Sequence, residues 1–327
     1  MRCIAAIFAA ALMASPASAE PITINAVQIS QFAGAGVGER TQGLVFRGGL
    51  ELHSVTDTFG GLSGVGFVGA DDHLVMVSDR GNFVSGQLIY DDKGAPLSLI
   101  GASIDAIQNS KGADLPRAFA RDAEALTIIE RPNGVTIARV GFENLTRVAD
   151  FHVIDGVPVG PAMEVTIPEW LTKTRTNESL EAVCSAPAAS PIAGSTLLLT
   201  EGVIDNDGAH SGWLLGKNDK GPMSYRSGDA TAPTDCAFLP NGDLLVLERG
   251  VVLVNFAARL VRIKAEDVRP GDEMKGDVLF EMVGGELDNM EGLAVHQTGG
   301  ETRITLVSDN NFNDWERSLL LEFTLPQ

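Results

Sequence analysis

Asp235-Cys236-Ala237-Phe238-Leu239-Pro240-Asn241-Gly242-Asp243-Leu244-Leu245-Val246-Leu247-Glu248 reads as two apolar runs around a Pro-Asn-Gly turn, with a carboxylate at each outer end. Proline fixes φ, and Asn-Gly tolerates the left-handed backbone of a tight reversal, so the stretch predicts a β-hairpin. Two further β-rich runs follow, and together they predict a four-stranded meander with strands Asp235–Leu239, Asp243–Glu248, Arg259–Lys264 and Val278–Met282.

The same grammar recurs along the chain. A strand opened by an acid appears at Glu124-Ala125-Leu126-Thr127, Glu181-Ala182-Val183-Cys184, Asp235-Cys236-Ala237-Phe238 and Glu291-Gly292-Leu293-Ala294. Gly60-Gly61-Leu62-Ser63 is a fifth copy with glycine in the acid's place, which leaves room there for substrate. Each copy is followed by a strand ending on an acid: Asp79, Glu143, Glu201, Glu248 and Asp309. The opening and closing positions lie 19, 19, 20, 13 and 18 residues apart, and successive closing acids lie 64, 58, 47 and 61 apart. That period fits one four-stranded unit per repeat. No amphipathic helix longer than two turns is visible, and Asp105–Asp122 is the best place for a loop insertion carrying a short one.

The expected fold is all-β, a β-propeller with five sequence-visible four-stranded blades. A sixth, degenerate blade stays open because Ile22–His53 holds strands without an assigned place. Pairing of Ser318–Leu325 with strands such as Gly43–His53 would close the ring. A two-sheet sandwich is the runner-up, but it gives no reason for a regular acidic period.

The chain has 327 residues, 43 Asp+Glu against 24 Lys+Arg and a net charge of −19. Such a balance argues against nucleic acid or an anionic membrane as the main partner. Arg2, the apolar run Ile4–Met13 and Ala17-Ser18-Ala19 read as a signal peptide over residues 1–19, cleaved after Ala19. Residues 20–327 are then one domain of a periplasmic or secreted, membrane-free, monomeric protein. No later run is long enough to span a bilayer. Cys184 and Cys236 have neither zinc-site nor Cys-x-x-Cys spacing; a disulfide and two small buried residues are both open readings.

In an antiparallel pair the start of one strand lies beside the end of the next. Glu124, Glu181, Asp235, Glu291, Asp79, Glu143, Glu201, Glu248 and Asp309 should therefore reach one mouth of the central channel. Acids are depleted in strands, so their repetition there asks for a reason. One is strand-end capping, in which each acid accepts loop N–H groups. The other is cation binding, since Ca²⁺ takes six to eight oxygen ligands. The leading metal ligands are Asp79, Glu124, Glu181, Glu291 and Asp309, with Asn82, Asn144, Asn289, Asn310 and Asn311 as amide donors. Asp205-Asn206-Asp207-Gly208 lacks the rest of an EF-hand loop and reads as a plain turn. There is no G-x-S-x-G elbow, P-loop or H-E-x-x-H motif; Ser63 lacks a nucleophile's flanking pattern, and His210 reads as an exposed loop histidine.

Phe59-Gly60-Gly61-Leu62-Ser63-Gly64 with Ser78-Asp79-Arg80-Gly81, Asp122-Ala123-Glu124-Ala125-Leu126, and Asn289-Met290-Glu291-Gly292-Leu293 with Ser308-Asp309-Asn310 resemble the phytase-like family, commonly described as "esterase-like activity of phytase". The resemblance covers roughly residues 40–325. It implies a Ca²⁺-dependent hydrolase of small phosphate esters or related esters. In that scheme Arg80 and Arg249 contact phosphate as planar donors. Glu201 or Glu248 serves as general acid or base, its pKa raised by like charges. Two alternatives stand beside it: a one-metal propeller lactonase or aryl-esterase, and a non-catalytic binding or scaffold propeller.

Overall fold

The apolar runs pair with their sequence neighbours, because short turns bring antiparallel partners together at little entropic cost. The computed structural model describes residues 19–217 and 219–326, so the expected signal peptide lies outside the described residues except for Ala19. The strands form five blades. From the axis outward, blade one is Leu62–Val68, His73–Ser78, Asn82–Tyr90 and Pro96–Ala106, with Glu20–Pro21 added at its edge. Blade two is Ala123–Glu130, Thr136–Phe142, Arg147–Ile154 and Val157–Val165. Blade three is Leu180–Ser185, Thr196–Ile204, His210–Leu215 and Gly221–Tyr225, edged by the parallel Glu273–Met274. Blade four is Ala232–Phe238, Leu244–Val252, Asn255–Ile263 and Asp277–Val283, the meander read from the sequence.

Blade five closes the ring. Met290–Thr298, Glu301–Ser308 and Leu319–Thr324 come from the end of the chain, and Leu44–His53 and Asn25–Ile29 from its beginning. Leu319–Thr324 pairs on one side with Glu301–Ser308 and on the other with Leu44–His53. The N-terminal strands are thus spent on the edges of blades five and one, and the open question of a sixth blade is answered: there is none among the described residues.

The five innermost strands touch in sequence around the axis. Close approach there needs small residues: a Cβ on Gly64 would sit 2.8 Å from the backbone nitrogen of Leu126 on the next blade. Below the mouth the inner strands leave a cavity of only about 130 Å³, bordered by residues such as Val65, Leu126 and Leu293. Apolar side chains between blades form the rest of the core, for example Leu199, Tyr225, Val246 and Met274 between blades three and four. Where the first and last blades meet, Tyr90 donates to Glu322 at 2.8 Å and contacts His296 Nε2 at 3.0 Å, while Arg303 pairs with Glu322 at 3.1 Å. Burial holds His296 down at about 3 and Glu322 up at about 7.

The helices are short connections, and the expected one in the Asp105–Asp122 insertion is Ala118–Arg121. The cysteine alternatives are also resolved. Cys184 and Cys236 form a disulfide, Cα–Cα 5.6 Å, between the innermost strands of blades three and four. It encloses a sequence separation of 52 residues. Chain entropy then gives about 4 kcal/mol of stabilisation. Replacing both cysteines by alanine should lower Tm by roughly 5–10 °C in a calorimetric scan, with the cation-free protein as reference. An unchanged Tm would show that the bond contributes no constraint.

Candidate functional site

The mouth is built by one irregularity repeated five times. Pairing between the first two strands of each blade slips by one residue between Leu62 and Gly64, Ala123 and Ala125, Leu180 and Ala182, Pro233 and Asp235, and Met290 and Gly292. The extra residue of such a bulge escapes the strict alternation of faces and is re-aimed. The five extra residues are Ser63, Glu124, Glu181, Thr234 and Glu291. The residue before each slip pairs with Ser78, Phe142, Thr200, Glu248 or Ser308, and the next residues are Asp79, Glu143, Glu201, Arg249 and Asp309. Two positions ahead of each slip stand Gly61, Asp122, Ser179, Ala232 and Asn289. A cavity of about 420 Å³ opens among these residues, lined by Asp79, Asp122, Glu124, Glu143, Glu181, Glu291, Asp309, Asn289 and Arg249, with Asn177, Phe256, Asn311 and Glu316 at its rim.

This register corrects the expectation for blade four by one residue on each strand. Asp235 and Glu248 do not reach the mouth, because neighbouring residues of a strand face opposite sides. Asp235 is fully buried and accepts the N–H groups of Cys236 and Leu293, both at 2.7 Å. It is a staple between blades four and five. Glu248 is also fully buried and is held by Tyr225 Oη at 2.5 Å, Arg259 at 2.6 Å and the Gly228 N–H at 3.2 Å. Glu248 is therefore out of reach of the mouth as an acid or base. In their places stand Thr234 and the mouth's own cation, Arg249.

Blade one also differs. Ser63, not Gly60, occupies the bulge, and a Cβ on Gly61 would collide with Asp79 Oδ1 and the Phe312 ring. The room expected for substrate at Gly60 is filled as well, since a Cβ there would sit 2.6 Å from Asn310 Oδ1 and 3.2 Å from the Phe312 ring. Arg80 is exposed, stacks on Phe312 with its guanidinium carbon 3.2 Å from the ring centre, and does not line the cavity. Glu201 stands behind Arg249 at 3.5 Å and is likewise absent from the lining. His210 is buried, not exposed, between the Glu201 carbonyl at 2.5 Å and Ser227 Oγ at 2.8 Å. The Asp205 turn is a plain one, its side chain accepting the Asp207 and Ala209 N–H groups at 2.9 Å.

The expected ligands Asp79, Glu124, Glu181, Glu291 and Asp309 do come together. Of these, Glu291 is already engaged: Thr234 Oγ1 donates to it at 2.6 Å, Asn289 Nδ2 at 2.9 Å, and Arg249 pairs with it at 3.1 Å. Asp122, which is not among the expected ligands, joins them. Its oxygen lies within 4.8 Å of those of Glu124 and Glu143, and Asn144 donates to it. The signal was there in the correspondence of Asp122-Ala123-Glu124 with Asn289-Met290-Glu291.

Burial raises the carboxyl groups, and mutual repulsion adds to it. Asp79 is pushed up to about 6 against the pull of Arg80. Glu143 rises to about 7 through burial and the nearby Asp122, and Asp309 to about 8 through burial, with Asp79 and Glu291 adding charge. Glu124 is raised well above the usual carboxylate range by burial and by the charge of Glu143 and Asp122, and Glu181 by burial and by the charge of Glu124 and Glu143. Glu201 is raised by burial despite Arg249. Arg249 goes the other way: burial works against its charge, but Glu291 and Glu201 hold it firmly protonated. Glu143 Oε2 and Asn289 Oδ1 are buried without a hydrogen-bond partner among the described residues. An unmet buried acceptor costs about 1–3 kcal/mol. Oxygen-only donors, excess negative charge and two unmet acceptors fit a hard cation such as Ca²⁺.

No curated protein matches the chain in sequence. Among solved structures it is similar to the PQQ-bound aldose sugar dehydrogenase of Streptomyces coelicolor, with a TM-score of 0.44 and 12% identity over 85% of this chain and 98% of that one. It is also similar to an exo-1,5-α-L-arabinanase from a bovine ruminal metagenomic library, with a TM-score of 0.43 and 13% identity over 80% and 96%. The family model "Esterase-like activity of phytase" matches residues 57–312, a span that begins just before the first innermost strand and ends in the loop after Asp309. The chain belongs to the phytase-like family.

Proposed function

We propose that the protein is an exported Ca²⁺-dependent hydrolase of phosphate esters or related esters, working at the acidic mouth. The observation that carries this reading is the pair of unmet acceptors, Glu143 Oε2 and Asn289 Oδ1, in a cavity lined by carboxylates and one guanidinium. Asp122, Glu124 and Glu143 would hold the cation, with Asp79, Glu181 and Asn289 as further donors. Bound Ca²⁺ would neutralise these carboxylates and polarise a phosphoryl or carbonyl oxygen.

The chain's own groups do the rest. Arg249, fixed between Glu201 and Glu291, offers its remaining N–H groups to an anionic oxygen of the substrate. Glu201 is thereby a positioning residue for Arg249. Asp309, whose carboxyl burial raises to about 8 in the cation-free protein, would protonate the leaving alkoxide as the P–O bond breaks and recover a proton from the water that adds to phosphorus. Export is supported by the residues 1–19 pattern and by the disulfide, which suits an oxidising compartment. No described helix is long and apolar enough to cross a membrane.

The direct test is a panel on EDTA-stripped protein with and without Ca²⁺: phytate, p-nitrophenyl phosphate, bis-p-nitrophenyl phosphate, p-nitrophenyl acetate and lactones. Ca²⁺-dependent release of phosphate or p-nitrophenol is expected, and Arg249→Met should cut kcat/KM by at least tenfold. If every substrate stays intact while Ca²⁺ still raises Tm, the metal only stiffens the ring. Turnover of lactones alone would move the reaction to that class.

Stability should also track pH. A carboxyl whose pKa is raised by folding favours the native state while protonated, and this contribution is lost as pH rises through the folded value. Metal-free protein should therefore lose Tm between pH 5 and 8, as Asp79, Glu143 and Asp309 ionise near about 6, 7 and 8. Ca²⁺ at about 100 times its Kd should restore about 2.7 kcal/mol at pH 8 and much less at pH 5. Glu124→Gln should weaken Ca²⁺ binding at least tenfold in calorimetric titration. Equal Ca²⁺ stabilisation at both pH values would rule out these carboxylates as ligands.

A further inference from the structure

Next to the mouth, blade four carries a feature the fold does not ask for. Its second and third strands run past Arg249 as a hairpin, with Val251 paired to Phe256 and Val252 to Asn255. The two tip residues are Leu253 and Val254, each 91% exposed, and Val251 is 58% exposed. Leu253 holds φ 58°, the left-handed region in which a two-residue hairpin prefers glycine. A branched apolar residue there is unfavourable both for the backbone and for hydration.

The matching hairpin of blade three shows what the turn accepts without such demands. It also projects beyond its mouth residue, Glu201, but its tip is Asp205-Asn206-Asp207-Gly208, with Gly208 in the left-handed region and Asp205 capping the turn. Blade four replaces this polar tip by Gly250-Val251-Val252-Leu253-Val254. Directly paired residues share a sheet face, so Val251 lies on the same face as Phe256, a residue of the cavity rim. Arg249, two residues before Val251, lines the cavity as well. On the neighbouring blade Trp315, 81% exposed, stands in the loop whose Asn311 and Glu316 reach the same rim. Cation, rim aromatic and bare aliphatic tip thus follow one another along a single hairpin.

We propose that the mouth takes amphiphilic esters: an anionic head beside Arg249, and an alkyl or acyl chain laid along Val251, Leu253 and Val254. This rests on the mouth being the substrate site and specifies the substrate class. The continuity of the apolar hairpin with the cavity selects the substrate's own chain as its occupant. The head sits among acids and polar amides, so only the part of the ligand outside the cavity meets apolar surface.

Methyl, butyl and octyl phosphate, each below its micelle concentration and at fixed Ca²⁺, test the proposal by calorimetric titration of the full chain. Tryptophan fluorescence gives a second readout. Octyl phosphate should bind at least tenfold more tightly than methyl phosphate, since each added methylene that leaves water for the apolar tip contributes to binding. Leu253→Gly combined with Val254→Asn gives the turn its favoured residues and should keep Tm at or above the wild-type value. This variant should bind methyl phosphate like wild type and lose most of the gain with chain length.

No dependence on chain length in wild type, or an unchanged dependence in the variant, overturns the proposal. Wild-type uptake by phosphatidylcholine vesicles without a chain-length gain for soluble phosphates also overturns it, making the tip a membrane anchor. If methyl phosphate does not bind but octyl phosphate binds wild type and not the variant, the head-group reading of the mouth fails while the apolar role of the hairpin stands.

Discussion

Alternation of side chains along a β-strand is the constraint on which the mouth depends. In an unbroken strand every second residue faces the axis side, and a carboxylate at one position commits its neighbours to the blade interior. One slipped residue at the start of each innermost strand suspends that commitment and turns Glu124, Glu181 and Glu291 toward a common space. The backbone stays paired on both sides of the slip, so the change in direction is local. After it, the strands continue as ordinary core, with Leu126, Val183 and Leu293 buried.

Bringing these acids together is costly in the bare protein. Burial favours the protonated forms of Asp79, Glu124, Glu143, Glu181 and Asp309, and neighbouring negative charges add to the effect. Arg249 relieves part of this by bridging Glu201 and Glu291, neighbours on either side of it around the ring. The remaining acids line the mouth from blades one, two, three and five, while blade four alone offers a cation to it. The mouth therefore combines many oxygen donors with one guanidinium set among them. A ligand that is itself anionic gains from both only when a cation joins it to the oxygen donors.

Much of this was legible in the sequence because strand periods and turn residues are local. Pro240-Asn241-Gly242 fixed one hairpin, and the recurring acids marked every blade. Ring closure by the two chain ends followed from leftover strands that had to pair somewhere. Register did not follow, since a one-residue slip leaves the apolar pattern almost unchanged while exchanging the two faces. Asp235 and Glu248 look like their counterparts in composition, yet each is one residue out of phase, and Thr234 and Arg249 take the mouth positions. The short separation of 13 residues in that blade was the trace of it. Disulfide pairing was equally out of reach, because Cys184 and Cys236 meet only once two blades are docked.

Closure of blade five bears on the order of assembly. Leu319–Thr324 inserts between Glu301–Ser308 and Leu44–His53, so an early strand waits with an open edge until the whole ring has been made. Open apolar edges invite pairing with other chains, and Leu44–His53 is the segment that carries this risk during synthesis. The same blade contributes Asn289, Glu291 and Asp309 to the mouth. The complete mouth is thus a property of the finished ring: a chain stopped after blade four has most of the architecture and lacks one wall of the cavity. The last wall of the mouth and the closure of the ring are in this way tied to the same blade.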